Sequence, residues 1–294
     1  MTDGLLLMLQ DLRLSAPDIV TSAMLFISSP VIHVAVPIAI ASFFLWCVDR
    51  RKGDWIMMNI VSGMFFGHLL KDVIKNPRPF ETDNRLIPEE RALKGASGYS
   101  TPSGHAVDAT TSFGSVAVLV RKKAVTLVMV AVIALIMFSR LYLGVHTVWD
   151  LIAGVTVAVI IMIVNSALIA YSYKDDGNYF RITALYLLLF VIGTAVWMVI
   201  NDDHEILMRY GGLMLGAIIG RQIGHRMTCE KNQCRSLSGI AVRLTTGWII
   251  TAVLFATPVL LFGMTVGYLI GGFLCSVNLF VIMPALIRRL GVDM

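Results

Sequence analysis

The chain has 294 residues, of which 57% are hydrophobic and 15% charged, whereas soluble domains average roughly 45–50% apolar and about 25% charged residues. This composition excludes an ordinary soluble domain. The net charge of +5 fits the basic loops of a membrane protein, so we expect no nucleic-acid partner. Apolar runs of about 20 residues, enough to cross a bilayer core of roughly 30 Å, recur along the chain. We therefore predict an all-α fold, a polytopic transmembrane helical bundle of about nine spans.

The predicted elements follow apolar runs bounded by charged residues, glycine or proline. A half-apolar stretch at Ile19–Ile27 is expected to lie in the membrane interface, before the first span. The nine predicted spans are Val31–Cys47, Trp55–Lys71, Gly104–Val120, Ala124–Leu143, Thr147–Tyr171, Ile182–Ile200, Ile206–Gly224, Ala241–Phe262 and Thr265–Ile287.

The distribution of basic residues predicts the orientation of these spans. Most of the 24 Lys and Arg residues fall in loops on the side of the C-terminus, and basic loops face the cytoplasm. We therefore expect the N-terminus outside and the C-terminus in the cytoplasm, in a multi-pass protein of a bacterial plasma membrane. Exceptions on the outer side cluster at Lys71–Lys94 and Arg140, where something other than orientation must require positive charge.

Small residues and cysteines allow two further predictions. Glycines at four-residue spacing in the seventh span line one helix face and let another helix approach closely. Packing within the chain is the first interpretation of this face, and a homodimer seam is the second. The glycines are Gly212, Gly216, Gly220 and Gly224. The four cysteines lack the paired spacing of a zinc site and are expected to be free thiols; they are Cys47, Cys229, Cys234 and Cys275.

His146 and Asp150 stand four residues apart at the start of the fifth span. On a helix, this spacing puts both side chains on one face. A carboxylate beside an imidazole fixes its tautomer and stabilises the cation that forms on reaction, which leaves the second ring nitrogen free as a nucleophile. The structural alternative is a helix N-terminal aspartate with a capping histidine.

Three cations on the predicted outer side are candidates for binding an anion. Arg78 lies between two prolines, Arg140 precedes His146 by a short turn, and Lys71 ends the second span. The guanidinium group offers a planar fork of donors that matches phosphate oxygens. Each of the three also fits a cation that extends from the membrane to the interface.

The segment that opens the third span suggests an anion site. Thr101 is suited to the N-cap and Pro102 to the first helical position. The backbone N–H groups of Ser103 and Gly104 would then be free to bind an anion. His105 would stand beside that anion as a general acid.

Other polar residues are weaker candidates. His68 lies one turn before Lys71 and is expected to be a packing histidine rather than part of a pocket. Asp108 either packs or tunes His105 from one turn away. His33, His204 and His225 are expected to be peripheral.

Together these motifs resemble the signature of the type 2 phosphatidic acid phosphatase superfamily. The motifs are Lys71 with six residues before Arg78-Pro79, then the segment 102–105 (PSGH), then Ser139-Arg140 with five residues before His146 and three more before Asp150. The layout of spans resembles the sphingosine-1-phosphate phosphatases and glucose-6-phosphatase within it. The resemblance covers roughly half of the chain, from the second to the fifth span.

The resemblance implies a role for each matching residue. His146 would be the nucleophile that forms a phosphohistidine, Asp150 would orient it, and His105 would protonate the leaving group. The phosphoryl oxygens would be held by Lys71, Arg78, Ser103, Gly104 and Arg140. It also implies that no metal or other cofactor is needed, and it divides the chain into an outer-facing N-terminal segment (1–29), a catalytic transmembrane core (30–172) and additional helices (173–294).

The function expected from the resemblance is hydrolysis of a phosphoric monoester, with a lipid phosphate or isoprenyl pyrophosphate as substrate and membrane lipids as surroundings. Two rival functions use the same cationic site: a lipid transporter or scramblase, and a non-catalytic phospholipid-binding protein. Charged groups facing a bundle interior often mark a transport path, but here they gather on one predicted side only.

Overall fold

The computed structural model of the chain describes residues 2–96, 98–201, 204–227, 234 and 236–290. Over these ranges every regular element is a helix, which confirms the all-α prediction. Cys229 lies outside the described residues. The three other cysteines are buried thiols that form no disulfide within the described residues.

The elements agree with the predicted spans to within a few residues for most of the chain. The helices are α1 (Thr2–Ser15), α2 (Asp18–Ile27), α3 (Val36–Phe43), α4 (Arg50–Ile74), α5 (Pro79–Thr82), α6 (Glu90–Leu93), α7 (Gly104–Ala109), α8 (Ser115–Val120), α9 (Lys123–Tyr142), α10 (Val148–Ser172), α11 (Asp176–Ile200), α12 (Glu205–Met227), α13 (Leu237–Val277) and α14 (Met283–Leu290). Four π-helical turns lie at Val31–Ala35, Phe44–Val48, Thr110–Gly114 and Asn278–Ile282.

Several of these helices are long and apolar enough to cross a membrane. By length and composition, five stretches of the described chain qualify, which supports a multi-pass membrane protein; nine spans remain a prediction. The five are Asp18–Val48, Lys123–Tyr142, Val148–Ser172, Asp176–Ile200 and Leu237–Arg289.

The last of these stretches contains the two final predicted spans. Gly263 has φ 76° and ψ −178°, a backbone conformation that is open to glycine and strained for other residues. Beyond it, Gly267 packs directly on the backbone of Val259, and Gly271 packs on Phe255. The chain therefore turns back on itself at Gly263, and α13 is a hairpin of two helical halves.

Contacts divide the chain into two compact units. Unit 1 comprises Met1–Pro37 and Phe66–Met162, and unit 2 comprises Ile38–Phe65 and Ile163–Met294. The predicted division at residues 29/30 and 172/173 is not tested by these contacts.

Within unit 1, a glycine sets the distance between α7 and α10. A Cβ added to Gly154 would lie 2.8 Å from the Cβ of Ala106 and 2.8 Å from the carbonyl oxygen of Ser103. Only a residue without a side chain allows this approach, so the first turns of the two helices meet. His105 on α7 and Asp150 on α10 are thereby brought into one region.

Within unit 2, the glycine face of α12 packs against the second half of α13 and the π-helical turn that follows it. Gly212 meets the backbone of Leu269, Gly216 that of Phe273, and Gly224 that of Phe280. The first interpretation of this face, packing within the chain, is therefore confirmed. A homodimer is not tested by these contacts.

A buried ion pair ties helices of unit 2 together. Arg221 on α12 contacts Asp54 on α4 at 3.0 Å, and both side chains are almost fully buried. The Arg221 guanidinium also donates to the Ser172 hydroxyl at 3.1 Å. The backbone carbonyl of Arg221 accepts a hydrogen bond from the Tyr179 hydroxyl at 3.2 Å. Such a pair is stabilising only when its remaining donors are satisfied, as they are here.

We expect Arg221→Ala to lower the free energy of unfolding by about 3–5 kcal/mol, because Asp54 would be left buried without its cation. Thermal unfolding of the purified protein in detergent measures this. Arg226→Ala, the same change at an exposed position of α12, is the matched control and should unfold close to wild type. Equal unfolding temperatures for the two variants would contradict the assigned role of the pair.

Candidate active site

The site is built around the carboxylate of Asp150, which is fully buried. It accepts the backbone N–H of Thr147 at 2.6 Å and the Thr147 hydroxyl at 3.0 Å. It also accepts the Ser100 hydroxyl at 2.7 Å and the Thr101 hydroxyl. In return, the Asp150 N–H donates to the Thr147 hydroxyl at 3.3 Å. Thr147 and Asp150 thus form a capping box at the start of α10, which holds the carboxylate in place.

His146 lies just before α10, with its two ring nitrogens in different surroundings. Nδ1 is 3.6 Å from the Asp150 carboxylate and 3.4 Å from the Ser100 hydroxyl. Nε2 is 3.1 Å from Nη1 of Arg78. A guanidinium can only donate, so Nε2 carries the lone pair and Nδ1 the proton. The predicted proximity of His146 and Asp150 is confirmed, but a turn rather than a shared helix face produces it.

The electrostatic surroundings of His146 favour the neutral ring. Burial lowers the pKa of His146 well below its ordinary value, and the charges of Arg78, Lys71 and Arg140 act in the same direction, whereas Asp150 opposes them. Burial and nearby cations both disfavour the imidazolium form. At neutral pH the ring is therefore uncharged, with a lone pair available on Nε2.

Arg78 is held rigidly between two loops. Its Nε donates to the carbonyl of Gly98 at 3.0 Å, and Nη1 donates to the carbonyl of Val145 at 2.9 Å. Its backbone N–H donates to Glu81 at 2.7 Å, at the start of α5. Burial lowers the pKa of Arg78 to about 10, so the group stays charged at neutral pH.

Lys71 and Arg140 complete a group of three buried cations. Lys71 is 4% exposed and Arg140 is 1% exposed, and each lies close enough to the other and to Arg78 for their charges to interact. Nε of Arg140 and the hydroxyl of Ser103 have no hydrogen-bond partner among the described residues. Buried donors normally have a partner. Two unsatisfied donors beside three cations are what an anion-binding site requires.

The segment before α7 differs from the prediction. Ser103, not Thr101, precedes the first helical residue, Gly104, because the Thr101 hydroxyl is used by Asp150. The backbone N–H of Ser103 donates to the carbonyl of Asp150 at 3.0 Å. It is therefore not free to bind an anion, contrary to the prediction. Ser103 contributes its hydroxyl instead. A Cβ added to Gly104 would lie 3.9 Å from Nζ of Lys71, which places this glycine beside the cations.

His105 is buried next to a second histidine. Its Nε2 lies 3.1 Å from the carbonyl oxygen of Ser28. The ring of His33 is 4.3 Å away, centroid to centroid, at an angle of 43°. The prediction that His33 is peripheral is therefore wrong, because the turn Val31–Ala35 folds over α7. His204 and His225 belong to unit 2.

Two weaker candidates also lie near the site. A Cβ on Gly104 would be 3.0 Å from Nε2 of His68, so this histidine adjoins the anion-binding region. Asp108 is 2% exposed, and it interacts electrostatically with Lys71.

Sequence reasoning missed four contacts in this region: those of Ser100, Thr147, Ser28 and His33. The T-x-x-D pattern of Thr147 and Asp150 is a capping-box signal that was available in the sequence. Ser28 and His33 carry no such signal, because their roles arise from contacts with residues far along the chain. No group of three or more His, Cys, Asp or Glu side chains suited to a metal lies in the described part of the chain.

The comparisons with known proteins match this region. Residues 53–174 match the model of the PAP2 superfamily. The chain is 26% identical over 213 residues to lipid phosphate phosphatase delta of Arabidopsis thaliana, an alignment that covers 66% of this chain and 50% of that protein. It is 30% identical over 134 residues to human sphingosine-1-phosphate phosphatase 2, covering 42% of this chain and 31% of the relative.

A third relative is named as a diphosphatase. The undecaprenyl-diphosphatase of Sulfolobus acidocaldarius is 30% identical over 123 residues, covering 42% of this chain and 57% of that protein.

The chain spans about half or less of the length of the first two relatives. No solved structure matches the chain significantly.

The matched segment contains the buried cations, both site histidines and Asp150. Residues 53–174 therefore match the PAP2 superfamily, and the chain resembles the sphingosine-1-phosphate phosphatases among its relatives.

Proposed function

We propose that this protein is an integral-membrane phosphatase that hydrolyses lipid phosphate monoesters or lipid pyrophosphates through a phosphohistidine on His146. The observation that carries the proposal is the meeting of three buried cations with a neutral, carboxylate-braced imidazole. Phosphoryl transfer depends mainly on positioning and on stabilising charge on the transferred group. Lys71, Arg78 and Arg140 supply that charge, so the chemistry proposed here needs no metal.

In the first step, Nε2 of His146 attacks phosphorus in line with the leaving oxygen. The P–O bond to the lipid breaks, its electron pair goes to the leaving oxygen, and His105, protonated once the anionic substrate is bound beside it, donates a proton to that oxygen. The developing imidazolium on His146 is stabilised by Asp150. The hydroxyl of Ser103 and Nε of Arg140, which have no partner in the described part of the chain, hold the phosphoryl oxygens together with Gly104.

In the second step, water attacks the phosphohistidine from the side vacated by the lipid. His105, now neutral, takes the proton of the water, the P–N bond breaks, and its electron pair returns to Nε2. Inorganic phosphate leaves, and both histidines regain their starting states. Arg78 donates to Nε2 in the structure, and in the proposed mechanism this donor is transferred to a phosphoryl oxygen.

The proposed location is the non-cytoplasmic face of the membrane. Arg140 lies near the C-terminal end of α9, whereas Arg121, Lys122 and Lys123 lie at its other end. A helix of this length spans about 30 Å, so the two basic groups flank the bilayer core. The three basic residues at the start of α9 fit the cytoplasmic side of the membrane. The candidate site, at the other end of this helix, then lies on the non-cytoplasmic side.

The names of the relatives support a lipid substrate. They are named as phosphatases of lipid phosphates, of sphingosine 1-phosphate and of undecaprenyl diphosphate. A cationic site between membrane helices accepts the head group of such a lipid while its chain stays in the bilayer.

The first test is release of inorganic phosphate by the purified protein from sphingosine 1-phosphate, phosphatidate, an isoprenyl pyrophosphate and glucose 6-phosphate. We expect turnover of at least one lipid. His146→Ala should abolish it, and His105→Ala should slow it by roughly 10²–10⁴, the usual contribution of a general acid.

Arg226→Ala, in unit 2, is the control for handling and folding. Movement of lipid across a vesicle membrane without phosphate release would favour the transporter alternative. Full hydrolysis by His146→Ala would refute the proposed nucleophile.

A second test uses pH. Because the pKa of His146 is held below its ordinary value near 6.5, the ring stays neutral as the pH falls from 7 toward 6. The acid limb of kcat/KM, corrected for ionisation of the substrate phosphate, should therefore lie below pH 6.5. Arg78→Gln removes a cation, raises the pKa of His146 and should move this limb to higher pH. A limb that stays in place would contradict the assignment.

A third test concerns the support of Asp150. Thr101→Val removes a hydroxyl donor from a buried carboxylate, a hydrogen bond worth about 1.5–3 kcal/mol. We expect a fall in kcat of roughly tenfold or more, with little change in KM. Thr101→Ser keeps the hydroxyl and should retain most of the activity. If both variants lose activity equally, the hydroxyl is not what matters at this position.

A further inference from the structure

We propose that the segment Ser28–His33 forms the leaving-group side of the active site, with His33 as a positioning residue for His105. This inference rests on the proposed function. None of the family motifs includes this segment, which lies 72 or more positions before His105 in the sequence numbering. Its assignment comes from contacts within unit 1 alone.

The first contact fixes the tautomer of His105. A carbonyl oxygen only accepts, so the contact of 3.1 Å between Nε2 of His105 and the carbonyl of Ser28 requires the proton on Nε2. The nitrogen that exchanges a proton with the leaving oxygen is then Nδ1. A backbone carbonyl on one ring nitrogen is a common way to set the role of the other.

The second contact fixes the segment itself. Nδ1 of His33 lies 2.9 Å from the carbonyl of Ser29, so by the same reasoning it donates there. His33 therefore donates a hydrogen bond to the carbonyl of Ser29, while the adjacent carbonyl, that of Ser28, accepts the hydrogen bond from His105. The two rings pack against each other at 4.3 Å, which restricts rotation of His105 about its side-chain bonds.

The third contact joins this segment to the motif that carries Arg140. The Ser139 hydroxyl donates to the carbonyl of Ile136 at 2.6 Å. Its only proton is thereby used, so the Ser28 hydroxyl donates to Ser139 across 2.5 Å. Ser28 thus links the general acid, through its carbonyl, to the phosphate-binding end of α9, through its hydroxyl.

The rest of the N-terminal region anchors the segment from further away. Nη1 of Arg13 donates to the carbonyl of Leu143 at 3.0 Å, and the Thr21 and Tyr142 hydroxyls lie 3.3 Å apart. Gln10 accepts the backbone N–H of Ile87 at 2.6 Å. These contacts hold α1 and α2 against the loops of the site.

The chemical consequence is confined to the step that needs an acid. When the P–O bond breaks, the electron pair moves to the leaving oxygen, and Nδ1 of His105, protonated while the anionic substrate is bound, supplies the proton. A poor leaving group such as a lipid alcohol needs this proton. An aryl oxygen such as that of p-nitrophenyl phosphate leaves without it. A displaced His105 should therefore slow the first substrate far more than the second.

The experiment compares kcat/KM for a lipid phosphate with kcat/KM for p-nitrophenyl phosphate in wild type and His33→Ala. We expect a loss of about 10–100-fold for the lipid, as for a group misplaced by about 1 Å, and less than about threefold for the aryl ester. His105→Ala should show the same pattern with a larger loss. Equal losses on both substrates would mean a general structural defect and would overturn the proposal.

Two further variants separate the contributions of the ring and the hydrogen bond. His33→Phe keeps the packing on His105 and removes the donor to Ser29, whereas His33→Asn keeps a donor near the position of Nδ1 and removes most of the packing. Each should retain more lipid hydrolysis than His33→Ala. They also keep the test decisive if His33→Ala does not fold.

A double-mutant cycle tests whether His33 acts through His105. His33→Ala should cost nothing further in a His105→Ala background, because the residue that it positions is gone. Additive losses would overturn the proposal. Ser15→Ala, at an exposed position at the end of α1, is the matched control and should leave the ratio of the two substrates unchanged. If wild type hydrolyses neither substrate, the proposed function fails rather than this inference.

Discussion

A carboxylate removed from water costs several kcal/mol unless its oxygens are hydrogen-bonded, and Asp150 meets this requirement with donors from two separate segments. Thr147 comes from the start of α10, and Ser100 and Thr101 come from the loop before α7. The carboxylate therefore joins the motif that ends at Asp150 to the segment just before the 102–105 motif. It also orients His146, whose other nitrogen faces Arg78 of the first motif. Without the Asp150 carboxylate, the hydrogen bonds that connect these segments and orient His146 are lost.

Glycine makes this arrangement possible at the level of helix packing. At Gly154 the first turns of α7 and α10 meet with no room for a side chain. The same principle operates in unit 2, where the glycine face of α12 receives the second half of α13. In a bilayer there is little hydrophobic gain from bringing two helices together, so close backbone approach and internal polar contacts such as Arg221–Asp54 provide the stabilisation.

Much of the fold followed from local patterns. The bounds of α9 and α10 lie within a residue or so of the predicted spans, because an apolar run between charges is a local signal. The residues of the three motifs were candidates from the sequence alone, since only a few residue types can bind phosphate or attack it. The hairpin at Gly263 was predicted only as a break between two spans, and its geometry required the close packing of Gly267 on Val259.

The sequence by itself determined that this is a helical membrane protein whose candidate phosphate-binding residues lie in three ordered motifs. The tertiary structure alone decided which polar groups of those motifs are free. The N–H of Ser103 is used by the carbonyl of Asp150, while the hydroxyl of Ser103 and Nε of Arg140 have no partner in the described chain. It also decided that His33 packs on His105. The reason is physical: hydropathy and capping depend on neighbours along the chain, whereas hydrogen-bond partners and ring contacts depend on residues that only folding brings together.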